Sequence, residues 1–396
     1  MKPSDFLRDS RFRDPGPAFI EDGTAHLRSH KDIWRAMMDT TGAEFTQDAS
    51  YWLPPEQPWH ITWSFVWAAG VRRADGSPGR HRVLRDLVEP WFRHRAVQTL
   101  TGEVGNLTGQ LLRAIVDKGT GTVDLATELA YPLAMRTTCA LVGLPATLEP
   151  WLADYIDQYQ RTPGLDQVAP EPPEVRAYFW DVVKQREAAP KDDLIDVIIA
   201  AWRRDEITDD EVLGYLWGFF AAGKDTTGTH IANLFALLSE FDLLGEARSR
   251  LDDDEWIRTA GEEVLRFCPP FPVGPALTVS DVELGDGVTL PARTPVSLWF
   301  SAANRDPAVS GENADTFDVT RSTNRHLAFG SGLHRCFGAP LARMEANVAF
   351  RATLRALPGL EPDPDGEFQR YAGIVDGVNA APFQFDQRAA ESLVAD

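Results

Sequence analysis

The stretch that most restricts what this 396-residue chain can become is Phe329-Gly330-Ser331-Gly332-Leu333-His334-Arg335-Cys336-Phe337-Gly338. It sets one cysteine among three glycines and runs directly into a helix start, Ala-Pro-Leu-Ala-Arg-Met-Glu. Gly332 and Gly338 lack Cβ atoms, which permits tight turns and close backbone approach. Free amides at the start of the following helix, with the positive end of its dipole, favour a deprotonated sulfur, and His334 and Arg335 add positive charge beside it. An isolated cysteine in a Gly-rich loop would ordinarily be an inert buried thiol. This setting instead suits a thiolate that ligates a metal along one axis.

The same residues resemble the haem-binding signature of the cytochrome P450 family, Phe-x-x-Gly-x-His-x-Cys-x-Gly, at every defining position. The resemblance implies that Cys336 is the axial iron ligand of haem b, with Phe329, Gly330, His334 and Gly338 forming the loop around it. A thiolate ligand donates electron density that favours O–O cleavage. The resemblance also implies a mainly α fold with a small β region, in one domain over residues 1–396. The activity it implies is a monooxygenase using O2 and NAD(P)H-derived electrons, supplied through ferredoxin and ferredoxin reductase.

Composition agrees. The chain is 43% apolar and 25% charged, normal for a large soluble core, and no repeat or low-complexity linker divides it. Its three cysteines, Cys139, Cys268 and Cys336, are odd in number and far apart, which argues against a disulfide framework and fits a reducing cytoplasm. No apolar run follows Met1-Lys2-Pro3, so the expectation is a cytoplasmic protein without signal peptide or membrane anchor, and a monomer. The net charge of −20, from 39 basic and 59 acidic residues, argues against nonspecific nucleic-acid binding.

Helical periodicity dominates. It predicts helices over 32–38 and 82–92, and near 99–117, 124–142, 148–160, 174–187 and 192–203. Strand signals gather after residue 275, where Val282-Glu283-Leu284 and Val288-Thr289-Leu290 flank the turn Gly285-Asp286-Gly287. The longest helix is expected over about 208–240. Thr208 and Glu211 form a capping box there, and Ile207 with Val212 a hydrophobic staple.

Within that helix, Ala222-Gly223-Lys224-Asp225-Thr226-Thr227 breaks helix propensity with a glycine and paired threonines. It is similar to the P450 motif Ala-Gly-x-Asp-Thr-Thr, which implies that Asp225 and Thr226 are catalytic. Splitting dioxygen consumes protons, and an alcohol–carboxylate pair suits their delivery. Gly223 would let the helix approach the haem without an intervening side chain. Glu263 and Arg266, at i and i+3, resemble the family's buried bracing pair, and His81 with Arg85, at i and i+4, resembles its propionate clamp, His334 being a third partner. Two departures stand out. No basic residue occurs at Pro275-Ala276-Leu277-Thr278, where the family often has a propionate arginine. Thr316 replaces an arginine of the bracing network, whose place falls vacant or passes to Arg321 or Arg325.

Trp59, Trp63 and Trp67 recur at four-residue spacing. They form either a stripe packed on the core or an aromatic wall for a flat substrate. By analogy with the family, Trp63, Trp67, Trp217, Phe220, Ala221, Val273 and Ile374 are candidate pocket residues. The expected substrate is a bulky, largely apolar, aromatic or peptide-derived small molecule that is hydroxylated or epoxidised. Oxidative ring closure or aryl coupling remains open, as does a haem-thiolate ligand-binding or sensor protein without turnover. Arg93, Arg95, Arg335 and Arg343 should cluster near Cys336 as a docking face for an acidic ferredoxin.

Overall fold

The computed structural model describes residues 14–48, 51, 65–66, 69–73, 76–145, 150–162 and 171–394. Helices dominate it, as the periodicity predicts. The expected segments appear at His30–Met37, Thr101–Val116, Pro150–Gln160, Pro173–Ala188 and Leu194–Arg203. Five helices carry the site: α1 (His81–Val88), α2 (Tyr131–Val142), α3 (Asp209–Glu240), α4 (Asp254–Phe267) and α5 (Ala339–Ala356).

The start of α3 is built as its sequence dictates. Thr208 Oγ1 accepts the Glu211 amide at 3.2 Å, and the Glu211 carboxylate accepts the Thr208 amide at 2.8 Å. Ile207 and Val212 are both buried beneath this cap. A helix apolar on nearly every side must run through a core. Accordingly α3 is buried along most of its 32 residues, at the centre of the main hydrophobic cluster. Its glycines decide how closely neighbours approach. A Cβ at Gly228 would lie 2.4 Å from the Tyr131 ring, and one at Gly223 would lie 2.3 Å from Thr138 Oγ1. Both partners belong to α2, so α2 and α3 are in close backbone contact. The glycine that the sequence assigned to the haem face therefore also serves a helix–helix contact.

The main sheet is small and peripheral. Strands β1 (Phe19–Glu21), β2 (Thr24–Leu27), β3 (Phe45–Thr46), β4 (Val273–Thr278) and β5 (Pro295–Trp299) assemble in the order β1-β2-β5-β4-β3. Only β2 and β5 run parallel, and a second, smaller apolar cluster lies under this sheet. The expected hairpin forms between Val282–Glu283 and Thr289–Leu290, with a single 3-10 turn at Gly285–Gly287. The sheet brings Gly274 and Pro275 of β4 to the cavity described below. Among the described residues, no helix is long and apolar enough to cross a membrane.

Candidate active site

Cys336 and Thr226 line one cavity of about 320 Å³, and most of its wall is aliphatic or aromatic. Residues 327–336 fold into a tight loop. The Gly330 amide donates to Leu327 O at 2.8 Å, and the Cys336 amide to Phe329 O at 2.8 Å. Gly332 has φ +62°, and a Cβ there would lie 2.1 Å from the Met37 carbonyl oxygen, so any side chain would force the loop off His30–Met37. Gly338 differs from the sequence expectation, because its φ of −73° is ordinary for any residue. What it supplies is an amide directed at the sulfur, as Ala339 does.

Cys336 is accessible through the cavity yet enclosed by protein. Burial pushes its thiol up, while the amides of Gly338 and Ala339 and the guanidinium groups of Arg85 and Arg343 act in the opposite direction. That donor set fits a thiolate completed by a metal on its open side. Cys139 and Cys268 lack it, and burial pushes both to about 12.

The three residues expected to clamp propionates come together beside this loop. His81, Arg85 and His334 all line the cavity, and the His81 and His334 rings lie 4.3 Å apart. Burial, reinforced by Arg85, lowers His81 to about 4. Arg85 is partly engaged already. Its Nη1 donates to Leu333 O at 2.9 Å and Arg335 O at 2.8 Å, and its Nε to Glu89 at 2.5 Å. Arg85 thus ties α1 to the cysteine loop as well as facing the cavity. Where the propionate arginine is missing, Ala276 is buried in β4 and Gln47 takes up a polar position. Its amide donates to Pro275 O at 3.2 Å, and it lines the cavity together with Arg335.

The residues present therefore fit a haem, with Cys336 as ligand and His81, Arg85 and His334 around its charged edge. Bound there, a haem supplies dioxygen binding and one-electron chemistry that no side chain here can perform.

On α3, Thr226 faces the cavity and its hydroxyl donates to Ala222 O at 2.5 Å. Asp225 does not share that wall. Successive residues point about 100° apart around a helix, and Asp225 pairs with its neighbour Lys224 at 3.3 Å, Lys224 being bonded in turn to Asp157. Burial raises the Asp225 carboxyl to about 6, against the lowering influence of Lys224.

The bracing pair is complete. Glu263 and Arg266 are fully buried and joined by two 2.8 Å hydrogen bonds. Arg321 Nε and the Asn324 side-chain amide both donate to Glu263, at 3.2 and 3.1 Å, so Arg321 occupies the place left by Thr316, whose carbonyl accepts from Arg266 at 2.9 Å.

Ala221 and Ile374 line the cavity. Trp217 does too, held between Tyr155 and Tyr159 with ring centroids at 5.5 and 5.1 Å. Phe220 turns the other way, fully buried against Phe179, and Val273 stands in β4 outside the wall formed by Gly274 and Pro275. Trp59, Trp63 and Trp67 lie outside the described residues. Thr138, Gln47 and His230 also line the cavity. Sequence reasoning missed all three, although His230 sits one turn after Thr226 and that spacing was readable.

Comparison with known proteins agrees with this geometry. The family model "Cytochrome P450" matches residues 258–369. The mycinamicin IV hydroxylase/epoxidase of Micromonospora griseorubida is 35% identical over 72% of this chain and 71% of its own length. The cyclomarin C epoxidase CymV of Salinispora arenicola is 31% identical over 88% of this chain and 87% of its own. Among solved structures, the post-tailoring hydroxylase HmtN of himastatin biosynthesis superposes with TM-score 0.81 at 27% identity, over 98% of this chain and all of its own.

Proposed function

The chain belongs to the cytochrome P450 family and is a haem-dependent monooxygenase using O2 and reducing equivalents; from that premise we propose that it inserts one oxygen atom into a bulky, largely apolar secondary metabolite, by hydroxylation or epoxidation. The observation that carries this reading is the cavity itself, whose wall places Cys336 and Thr226 among aliphatic and aromatic side chains. Such a wall favours apolar bodies, with a few polar groups fixing their orientation. The names of the relatives support the same class, since they describe hydroxylation or epoxidation in the making of elaborated compounds.

In this reading the haem is haem b, which Cys336 would hold, with His81, Arg85, His334 and Gln47 available to its charged edge. Thr226 manages protons from the cavity wall and Asp225 from beside Lys224, off that wall. Electrons arrive from a ferredoxin and its reductase. Arg93, Arg95 and Arg335 are exposed, and the short helix His94–Gln98, which Arg93 precedes and which contains Arg95, packs on α5, the helix that follows Cys336. Arg343 takes a different part: both its Nε and Nη2 bond Glu262, at 2.6 and 2.8 Å, and its guanidinium lies over the Phe329 ring. The docking face therefore rests on the other three arginines.

The test is absorbance of the ferric haem during titration with flat aromatic or indolic compounds and, separately, aliphatic terpenoids and acyl chains. A spin-state shift followed by a product heavier by one oxygen supports the proposal. A product lighter by hydrogens alone replaces it with ring closure or coupling.

A further inference from the structure

His230 follows Thr226 by one turn of α3, so the two share a helix face, and both line the cavity. The histidine is 2% exposed, and its Nδ1 is buried without a hydrogen-bond partner. Leaving a buried polar atom unpaired is unfavourable, because it forfeits its hydrogen bonds to water. Such an atom in a native protein calls for an explanation, and its burial leaves the other edge of the ring as the one that a water in the cavity can reach. The charged groups facing the ring are Glu262, Arg343 and His326, and the Glu262 carboxylate is already taken by the other two. Burial lowers the ring to about 4, so near neutral pH it carries one N–H donor and one acceptor.

Thr226 has the complementary shortage. Its single hydroxyl proton is committed to Ala222 O at 2.5 Å, which leaves its oxygen an acceptor toward the cavity. Asp225 cannot supply the missing donor, because it points toward Lys224 and not into the cavity. Of the other wall residues, Leu265 of α4 with Leu341 and Ala342 of α5 are apolar, while Thr138 of α2 and Thr227 of α3 add hydroxyls.

We propose that His230 is a positioning residue that anchors a water molecule between its imidazole and the Thr226 hydroxyl oxygen. The water accepts from the ring N–H and donates to Thr226, and its remaining hydrogen is free to point at a ligand in the cavity. No covalent bond is made or broken in this arrangement. It rests on the haem-thiolate reading and extends it by naming what Thr226 accepts from.

Carbon monoxide bound to the ferrous protein reads this arrangement, since a hydrogen-bond donor beside the ligand lowers its stretching frequency. The wild-type C–O stretch should move on exchange into D2O. In His230→Phe it should rise by several wavenumbers and lose that isotope sensitivity, while His230→Gln, which keeps a donor, should restore both. The fraction of electrons lost as hydrogen peroxide should rise several-fold in His230→Phe and fall back in His230→Gln. An unchanged stretch in His230→Phe overturns the proposal, and so does a wild-type stretch insensitive to D2O, a measurement that needs no variant. Absence of the red-shifted carbonyl band of thiolate ligation in the wild-type protein would instead overturn the haem-thiolate reading.

Discussion

Asp225 and Thr226 are neighbours in the chain with opposite surroundings. Thr226 meets the cavity, whereas Asp225 is 4% exposed and faces Lys224. Its carboxyl is held at about 6 against an ordinary 3.8, so the native protein binds that proton more tightly than the unfolded chain does. The associated stability is present below about pH 4 and is lost as pH rises through about 6. At about 1.4 kcal/mol per unit, the loss is on the order of 3 kcal/mol. Asp225→Asn cannot titrate, so its stability relative to wild type should improve between acid and neutral pH. Urea denaturation at both ends of that range checks this, and parallel pH profiles would remove the assigned burial effect. The motif announced this residue by type. Its orientation away from the cavity came from helix geometry and from Lys224 and Asp157, which no motif includes.

At the scale of elements, the contact between α2 and α3 is sterically demanding. A methyl group at Gly228 would come within 2.4 Å of the Tyr131 ring and 3.1 Å of its Cα, and backbone cannot swing aside as a flexible side chain can. Overpacking of this kind typically costs about 1–3 kcal/mol. Gly245, in the helix Leu244–Ser249, has nothing within 4 Å of the same position. Gly228→Ala should therefore lower the thermal midpoint, while Gly245→Ala, free of strain and favoured by helix propensity, should raise it slightly. Equal midpoints for the two variants would contradict the close packing. The elements themselves were largely legible in the sequence, since caps, periodicity and the Gly-Asp-Gly turn are local signals. The crossing of α2 and α3 was not, because a glycine in a sequence does not say which neighbour needs its space.

Across the whole molecule, Glu263 joins α4 to the segment leading into the cysteine loop. Besides Arg266, its carboxylate accepts from Arg321, Asn324 and the Asp318 amide, the last at 2.8 Å. Removing one partner of a buried ion pair typically costs about 3–5 kcal/mol. Glu263→Gln should accordingly lower the thermal midpoint sharply and reduce haem retention, seen as a falling ratio of haem to protein absorbance. Retention at wild-type levels would show that the network does not hold the loop. Electron delivery is also a property of the whole surface. In a protein of net charge −20, a local basic face steers an acidic partner where the overall field repels it. The double variant Arg93→Glu with Arg95→Glu should slow reduction by ferredoxin at least tenfold and leave substrate binding unaltered. Stopped-flow reduction measures this, and an unchanged rate would place the docking face elsewhere.

The sequence by itself determined the family, the candidate iron ligand, the capped long helix and the identities of the buried bracing residues. Each of these is written in residues close together in the chain, where spacing and residue type restrict the chemistry. Tertiary structure alone decided the rest. It turned Phe220 into the core, put Gln47 beside the strand that lacks an arginine, let Arg321 stand in at the place of Thr316, and left His230 unpaired on the cavity wall. Those outcomes depend on contacts between residues tens to hundreds of positions apart, set by how helices pack and which buried polar groups find partners. Local pattern carries no record of such contacts.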